Sequence, residues 1–95
     1  MPAVCRLNDI STGHADWPPR RNDSAATDVY VNNKGVHRVG DHWPTHCNSI
    51  PECHDGTLAQ GSFSVYANGN QIGRIGDPIS CGDHVAEGSD NVFSG

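Results

Sequence analysis

Apolar and polar residues alternate over two short segments of the chain, and each alternation is interrupted by residues typical of turns. The segments are DVYVNNKGVHRVGD (28–41) and SVYANGNQIGRIGD (64–77). Apolar side chains at every second position indicate a half-buried strand. The Asn68-Gly69 pair is a strong turn signal, because both residues accept the positive φ of a type I′ turn, and Asn32-Asn33 offers a similar turn. The pattern predicts two β-hairpins.

No window of the sequence shows the 3.6-residue period of an amphipathic helix. His42 and His46 have the i,i+4 spacing of one helix face, but Pro44 between them argues against a helix. The chain is therefore predicted to be mainly β, with short hairpins, long loops and little or no helix. The prolines that interrupt the candidate helices are Pro18, Pro19, Pro44, Pro51 and Pro78.

One short motif occurs three times. VCRLND (4–9), VHRVGD (36–41) and IGRIGD (72–77) each end in an aspartate that lies three residues after an arginine. The last segment, SDNVFSG (89–95), repeats the start of a strand. Three repeats of about 30 residues are typical of a pseudo-threefold domain rather than of a β-sandwich.

The apolar content is low for a domain of this size. Val, Ile, Leu and Phe number 17 of 95 residues, below the ~20% under which folding around a core becomes doubtful. We expect residues 1–95 to form one domain, and a small fold with so little apolar material usually needs disulfides or a metal ion. The four cysteines and six histidines are the candidates for that staple.

The net charge and the N-terminal sequence bear on the partners of the chain and on the compartment in which it is made. The net charge of −5, with only six Lys and Arg, argues against nucleic acid as a partner. The N-terminus lacks the features of a signal peptide, and no apolar run is long enough to span a bilayer. The chain is expected to be made in the cytoplasm, where a disulfide between Cys47 and Cys53 is disfavoured, although this pairing stays open.

Two registers of the repeat indicate the same set of metal ligands. Five residues after the aspartate of the first two motifs stands a histidine, and four residues after the third stands a cysteine. Counting back eleven residues from the valines of the last two strands gives another histidine and the same cysteine. Equivalent loops of a pseudo-threefold fold converge on its axis, and three imidazoles with one thiolate suit tetrahedral zinc. The set is His14, His46, His54 and Cys81. Its second and third histidines are expected on one looped excursion.

The other histidines and cysteines lack this support. Single loop histidines are mostly solvated, so His37 and His84 are expected at the surface or beside the ligands. Whether His42 or His84 substitutes for a ligand stays open. Cys5 lies in a predicted strand and is expected to be a small buried residue.

The chain resembles the PAAR-repeat proteins, small metal-stapled cones at the tips of type VI secretion spikes and contractile phage tails. The resemblance covers essentially the whole chain. It rests on the order and spacing of MPAVCRLND, STGH, VYVNNKGVHRVGDHW, HCNSIPECHDG, GSFSVYANGNQIGRIGDPISCG and GSDNVF. The Pro-Ala-Ala-Arg tetrad is altered, surviving as Pro2-Ala3-Val4 with Arg6 shifted by one, and no departure touches a proposed ligand.

The resemblance implies a mainly β, conical, pseudo-threefold domain with one structural Zn²⁺ near its apex, held by the same three histidines and cysteine. It also implies a broad base that docks on the blunt end of a trimeric VgrG-type spike, one chain per trimer. Val29, Val31, Val65 and Val92 are candidates for that docking base, and they fit ordinary core positions equally well.

The expected function is that of a structural tip protein that sharpens the spike and aids membrane piercing and effector delivery. It would be cytoplasmic during assembly and would then move with the spike into the target cell envelope. A contractile phage tail is the alternative setting, with the protein in the virion. The chain ends at NVFSG, so no effector extension is expected and an effector would associate noncovalently.

A small zinc hydrolase is the main rival. Catalytic zinc keeps an open position for water, whereas four protein ligands fill the coordination sphere, and no nucleophile–base pair is legible. The chain is therefore not expected to be an enzyme. A disulfide-stapled secreted binding module is a third possibility, which a count of free thiols would separate from the metal site.

Overall fold

Each arginine–aspartate motif folds into the same tight turn. In the computed structural model, which describes residues 1–95, the aspartate carboxylate accepts hydrogen bonds from the backbone N–H and the guanidinium of the arginine. The residue before the aspartate has a positive φ, which favours Gly or Asn, as at Asn8 (69°) and Gly40 (91°). The ion pairs, at 2.9, 2.9 and 3.0 Å, are Arg6–Asp9, Arg38–Asp41 and Arg74–Asp77.

Backbone hydrogen bonds join the three motifs into a closed ring. The Cys5 N–H donates to the Gly73 carbonyl (2.8 Å), the His37 N–H to the Cys5 carbonyl (3.1 Å) and the Gly73 N–H to the His37 carbonyl (2.8 Å). Each of these residues directly precedes the arginine of its motif, so the three positions are equivalent. The ring confirms the pseudo-threefold arrangement that the repeats predict.

Packing around the ring explains why one of its members is a glycine. A Cβ at Gly73 would lie 2.7 Å from Leu58 Cδ2 and 3.4 Å from Cys5 Cβ. The first distance is well inside van der Waals contact, so a side chain at this position would displace Leu58. The neighbouring side chains therefore fill the space that a larger residue would need.

The described residues form strands but no helix. The six strands are β1 (Tyr30–Val31), β2 (Lys34–Gly35), β3 (His42–Cys47), β4 (Cys53–Thr57), β5 (Tyr66–Ala67) and β6 (Asn70–Gln71). They pair as three antiparallel hairpins, β1–β2, β3–β4 and β5–β6. The mainly β fold is thus confirmed, and no segment forms an apolar helix long enough to cross a membrane.

The two hairpins predicted from turn residues are present, but they are shorter than the pattern indicates. Asn68 and Gly69 have φ of 54° and 81°, and Asn32 and Asn33 have 54° and 65°, as the turn chemistry requires. Beyond two residue pairs the chain leaves its own hairpin and pairs with a neighbouring motif. The resulting bridges are Arg6–Val36, Arg38–Ile72 and Val4–Arg74.

The longest hairpin, β3–β4, occupies the segment expected to be one looped excursion. His46 and His54 do lie on one excursion, but they lie on paired strands rather than in a loop. Pro44 excludes a helix here but not a strand, because the pairing register shifts between Trp43 and His46 and leaves Pro44 at the irregularity. Between the shift and the tip of the hairpin, His46 lies opposite His54. The hairpin therefore places two histidines side by side.

Two small apolar clusters lie along a molecule of 39 × 23 × 22 Å. One consists of Val4, Val36, Ala67 and Ile72, and the other of Cys5, Trp43, Leu58, Ile79 and Val85. Cys81 packs against the second cluster. Because Val4 and Cys5 are adjacent in the chain, the hydrogen-bonded ring lies where the two clusters meet.

Two expectations about single residues have different outcomes. Cys5 is fully buried, as predicted, and burial raises the pKa of its thiol well above the ordinary value. His37 was expected at the surface or beside the ligands. It is instead fully buried, at the backbone hydrogen-bond ring that it forms with Cys5 and Gly73. Its ring packs edge-on against Trp43, with centroids 5.1 Å apart. The apolar environment of the axis accounts for the difference.

Candidate metal centre

Four segments bring three imidazoles and a thiol to one place. His46 and His54 face each other across β3 and β4. His14 belongs to a turn closed by two backbone hydrogen bonds with Trp17, of 3.0 and 2.8 Å. Cys81 follows Ser80, whose N–H donates to the carbonyl of Thr57 at the end of β4 (2.9 Å). The ligand atoms of His14, His46, His54 and Cys81 all lie within 4.8 Å of one another.

The three imidazoles meet through the same ring atom. The Nε2 atoms are separated by 3.2 Å between His14 and His46, 3.0 Å between His14 and His54, and 2.7 Å between His46 and His54. Nitrogens bound to zinc at ~2.0–2.1 Å in a tetrahedron lie roughly 3.3 Å apart. The triangle is therefore close to the size that a metal ion requires, with Cys81 available as the fourth ligand.

A hydrogen bond at Nδ1 fixes the orientation of the His46 imidazole. Its Nδ1–H donates to the Pro18 carbonyl at 2.8 Å, so its Nε2 carries a lone pair that points at the other two imidazoles. Burial, and to a smaller extent the charge of Arg20, lower the pKa of His46. The neutral ring is the form that binds metal, so both effects prepare His46 as a ligand.

Trp17 covers one side of the histidine cluster. Its ring stacks on His14 with centroids 5.0 Å apart and on His54 at 4.8 Å. Its indole N–H donates to the Glu52 carbonyl at 2.8 Å, which ties the covering ring to the tip of the β3–β4 hairpin. The repeat register could not indicate Trp17, because the equivalent positions, counted back from the strand valines, hold Cys53 and Ser80 and no aromatic residue recurs there.

A buried ion pair lies behind the cysteine, and it too was missed by the sequence analysis. Arg20 pairs with Asp83 at 2.9 Å, and the side chains are 7% and 0% exposed. Thr12 Oγ1 donates to the same carboxylate at 2.7 Å. Burial opposes ionisation of Asp83, but hydrogen bonds from Ser11, Thr12 and the His84 backbone, together with the charge of Arg20, lower its pKa. Asp83 is therefore a stable anion next to the site.

A disulfide joins Cys47 and Cys53, against the expectation that a cytoplasmic origin disfavours it. The two cysteines are direct partners across β3 and β4, one position beyond the paired histidines. Pairing across the two strands holds their side chains together. Because the segment was predicted to be a loop, the sequence did not indicate this pairing. The two free cysteines are Cys5 and Cys81.

The remaining histidines lie outside the cluster. His42 is held between two carboxylates, with Nδ1 2.8 Å from Asp23 and Nε2 3.0 Å from Asp55. His84 has an exposed side chain. Neither is among the residues whose ligand atoms converge. The arrangement as a whole can hold one metal ion with four protein ligands from distant parts of the chain.

Comparisons with known proteins agree with this description. The family model for the PAAR motif matches residues 12–87. Over 72 residues the chain is 36% identical to the NAD(P)(+) glycohydrolase toxin Tse6 of Pseudomonas aeruginosa strain PAO1, and 36% identical to the (p)ppApp synthetase toxin Tas1 of strain UCBPP-PA14. The match covers 70% of this chain in both cases, but only 17% and 16% of the two toxins.

Proposed function

The chain belongs to the PAAR motif family, and from this membership we propose that it is a metal-stapled tip protein of a contractile injection machine. It would cap a trimeric VgrG-type spike of a type VI secretion system, help the spike to pierce a membrane, and assist effector delivery. The observation that carries the proposal is the closed ring of Cys5, His37 and Gly73, because a single chain with three equivalent sides matches the end of a trimer.

The proposed ion is Zn²⁺, held by His14, His46, His54 and Cys81. Near a narrow tip, surface dominates volume, so apolar burial cannot hold converging loops. A bound zinc ion supplies ~10–16 kcal/mol of binding free energy, which becomes folding free energy when the site forms only in the folded chain. Four protein ligands make a closed, structural site rather than a catalytic one, so the proposed role is mechanical.

Three equivalent positions support a docking base. The carbonyls of Val29, Val65 and Val92 accept hydrogen bonds from the backbone N–H of the first residue of an arginine–aspartate motif, at 2.9, 3.1 and 3.0 Å. Their side chains are exposed to similar extents, 38%, 42% and 37%. Val31, the fourth candidate, packs instead against the cluster around Val4. We therefore assign the docking role to the three equivalent valines.

Each of these valines is followed by an aromatic residue that is more exposed. Tyr30, Tyr66 and Phe93 are 60%, 57% and 50% exposed. Aromatic residues are enriched in protein interfaces, and three of them at equivalent positions would meet three equivalent subunits. This arrangement supports a stoichiometry of one chain per trimer.

The test is binding to a trimeric VgrG-type spike, measured by native mass spectrometry and by titration. The proposal predicts a complex of one chain with three spike subunits. Val29→Asp, Val65→Asp and Val92→Asp should each weaken binding by at least about tenfold, because each buries a charge in the interface. Ile50→Asp is the matched control, since Ile50 is 71% exposed at the tip of the hairpin that carries the histidines.

The outcomes separate clearly. Equal weakening by the three valine variants, with an unaffected Ile50→Asp, would support a threefold base. Wild-type protein that binds no trimeric spike, or valine variants that bind as well as wild type, would refute the proposed docking. Binding to a phage tail spike instead of a secretion spike would keep the tip function and move it to the alternative setting.

The two toxins that share this segment suggest what the tip would carry. Each is much longer than the matched region, so a domain of this kind occurs in the same chain as a toxin. We propose that the present chain assists the delivery of effectors that travel with the spike.

A further inference from the structure

Arg20 is the buried cation closest to the proposed ligands, and no repeat or motif accounts for it. Only 8% of the residue is exposed. Its guanidinium lies over the ring of Trp43, with Cζ 5.9 Å from the centroid. A long, flexible side chain loses conformational entropy when it is buried in one position. The contacts of the guanidinium must therefore compensate for that loss.

Those contacts connect the segments that carry the ligands. Nε donates to the Pro44 carbonyl on β3, and Nη1 donates to Asp83 at 2.9 Å. Nη1 also lies 3.4 Å from Nδ1 of His46. Because that Nδ1–H already donates to Pro18, the last contact is an electrostatic one rather than a hydrogen bond. One planar group thus links β3 to the loop that contains Cys81.

The remaining nitrogen reaches the ligand sulfur itself. Arg20 Nη2 lies 3.4 Å from Cys81 Sγ and donates to it. Arg20 is the hydrogen-bond donor that the structure gives this sulfur, and the sulfur lies within 4.8 Å of the ligand nitrogens of the three histidines. Hydrogen bonds to a coordinating sulfur orient it and tune the bound metal. The planar fork of an arginine can serve the sulfur and the carboxylate together, which a lysine cannot do.

We infer that Arg20 is a positioning residue of the metal centre. Its guanidinium holds Cys81 Sγ facing the three imidazoles by fixing the 81–83 loop to β3 through Asp83 and Pro44. This inference rests on the proposed function, since it concerns the residues assigned there to Zn²⁺, and it adds the group that holds the fourth ligand in place before an ion binds.

The experiment compares Arg20→Lys with the wild type and with Arg21→Lys as the matched control. Arg20→Lys keeps a positive charge beside the buried Asp83 but loses the fork. Arg21 is the neighbouring arginine, with a side chain 60% exposed and a surface pair to Glu87. Co²⁺ is the probe, because its spectrum reports both binding and the Co²⁺–sulfur bond.

Arg20→Lys should lower Co²⁺ affinity about 10- to 100-fold, the usual cost of losing an outer-shell partner. It should also speed release to a chelator and shift the sulfur-to-cobalt charge-transfer band, because the N–H···S hydrogen bond is lost. Arg21→Lys should change none of the three. A purely structural role for Arg20 would leave the band of the bound cobalt in its wild-type position.

If Arg20→Lys does not fold, two further measurements decide the question. Arg20→Met combined with Asp83→Asn removes both buried charges together, and should show the same weaker binding and shifted band. In the wild type loaded with ¹¹³Cd²⁺, a scalar coupling between the metal and an Arg20 Nη proton should be detectable through the sulfur. Absence of this coupling, or unchanged Co²⁺ affinity and band in a folded Arg20 variant, would overturn the inference.

Failure of the inference is distinguishable from failure of the proposed function. Wild-type protein that takes up no Co²⁺ would contradict the metal site proposed above. Wild-type protein that takes up one Co²⁺ per chain, with a spectrum unaffected by Arg20→Lys, would contradict only the role of Arg20.

Discussion

His37 is a fully buried titratable side chain of the axis. Its Nδ1–H donates to the Ser24 carbonyl at 2.7 Å, and its Nε2 is buried with no hydrogen-bond partner. Burial lowers the pKa of His37, and the partial opposition of the Ser24 carbonyl does not restore it. A protonated ring would have to bury both a charge and an unsatisfied N–H, so the folded protein keeps His37 neutral.

This pKa shift predicts a loss of stability in mild acid. The unfolded chain takes up a proton on His37 near pH ~6.5, whereas the folded chain does so only at lower pH. The contribution of His37 to the free energy of unfolding should therefore be constant above that pH and should fall below it, by up to about 1.4 kcal/mol per pH unit, until the folded-state pKa is reached. Denaturant titrations from pH 7.5 to 5 measure the slope.

His37→Asn serves as the control, because its side-chain N–H₂ can still donate to Ser24 but does not titrate. The variant should show a smaller slope than the wild type over the same range, and the difference removes contributions shared by both proteins, including metal loss. Equal slopes in the two proteins would show that His37 is not a source of the acid sensitivity.

The sequence predicted individual residues of the candidate site where they occupy equivalent positions of the repeats. The register indicated the four residues whose ligand atoms the structure gathers, because equivalent positions of a repeat occupy equivalent places in space; that they bind zinc stays a proposal. Arg20 and Trp17 were missed because the register gives them unlike counterparts: counting back from the strand valines, Gly56 and Asp83 correspond to Arg20, and Cys53 and Ser80 to Trp17. His37 was missed because position alone does not reveal that its motif lines the axis.

At the scale of elements, the β3–β4 hairpin concentrates the candidate chemistry. It carries two of the four proposed ligands and the disulfide, with His46 opposite His54 and Cys47 opposite Cys53. The covalent bond lies between the histidine pair and the hairpin tip. The disulfide should therefore restrict the movement of both histidines.

Removing the disulfide with Cys47→Ser and Cys53→Ser together should lower the free energy of unfolding by about 2 kcal/mol, as expected for a short closed loop. It should also speed the loss of bound Zn²⁺ to a chelator, because His46 and His54 lose a common restraint. Chemical denaturation and a chelator chase measure the two effects on the same samples.

Reduction of the wild type should reproduce both effects if the bond itself is responsible. The reduced wild type and the double serine variant are therefore compared under identical conditions. Zinc release that is unchanged in both samples would show that the disulfide does not support the histidine pair.

The hairpins differ in how well their turn residues predict them from the sequence. β5–β6 turns at Asn68-Gly69, whose backbone preferences alone specify a tight turn. The tip of β3–β4 is longer, and the side chain of Asn48 shapes it by accepting hydrogen bonds from the backbone N–H groups of Ile50 and Glu52. Such a loop has no short signature, so its strands could not be recognised from the turn.

The whole molecule combines a nearly symmetric part with an asymmetric one. The ring around Cys5 and the three exposed valines repeat with threefold regularity. The proposed metal centre does not, since four ligands come from three repeats and one hairpin supplies two of them. The symmetric part follows from the repeated motif and was predictable. The asymmetric part depends on the β3–β4 hairpin, whose strands could not be predicted from the sequence.

The proposed metal centre consists of one ion that ties these distant segments together through three imidazoles and one sulfur. X-ray absorption spectroscopy of the zinc-loaded protein tests it directly. We expect one zinc per chain, with three nitrogens at ~2.0–2.1 Å and one sulfur at ~2.3 Å, and loss of the sulfur shell in Cys81→Ser. A zinc ion with no sulfur neighbour, or a protein that binds no zinc at this site, would contradict it.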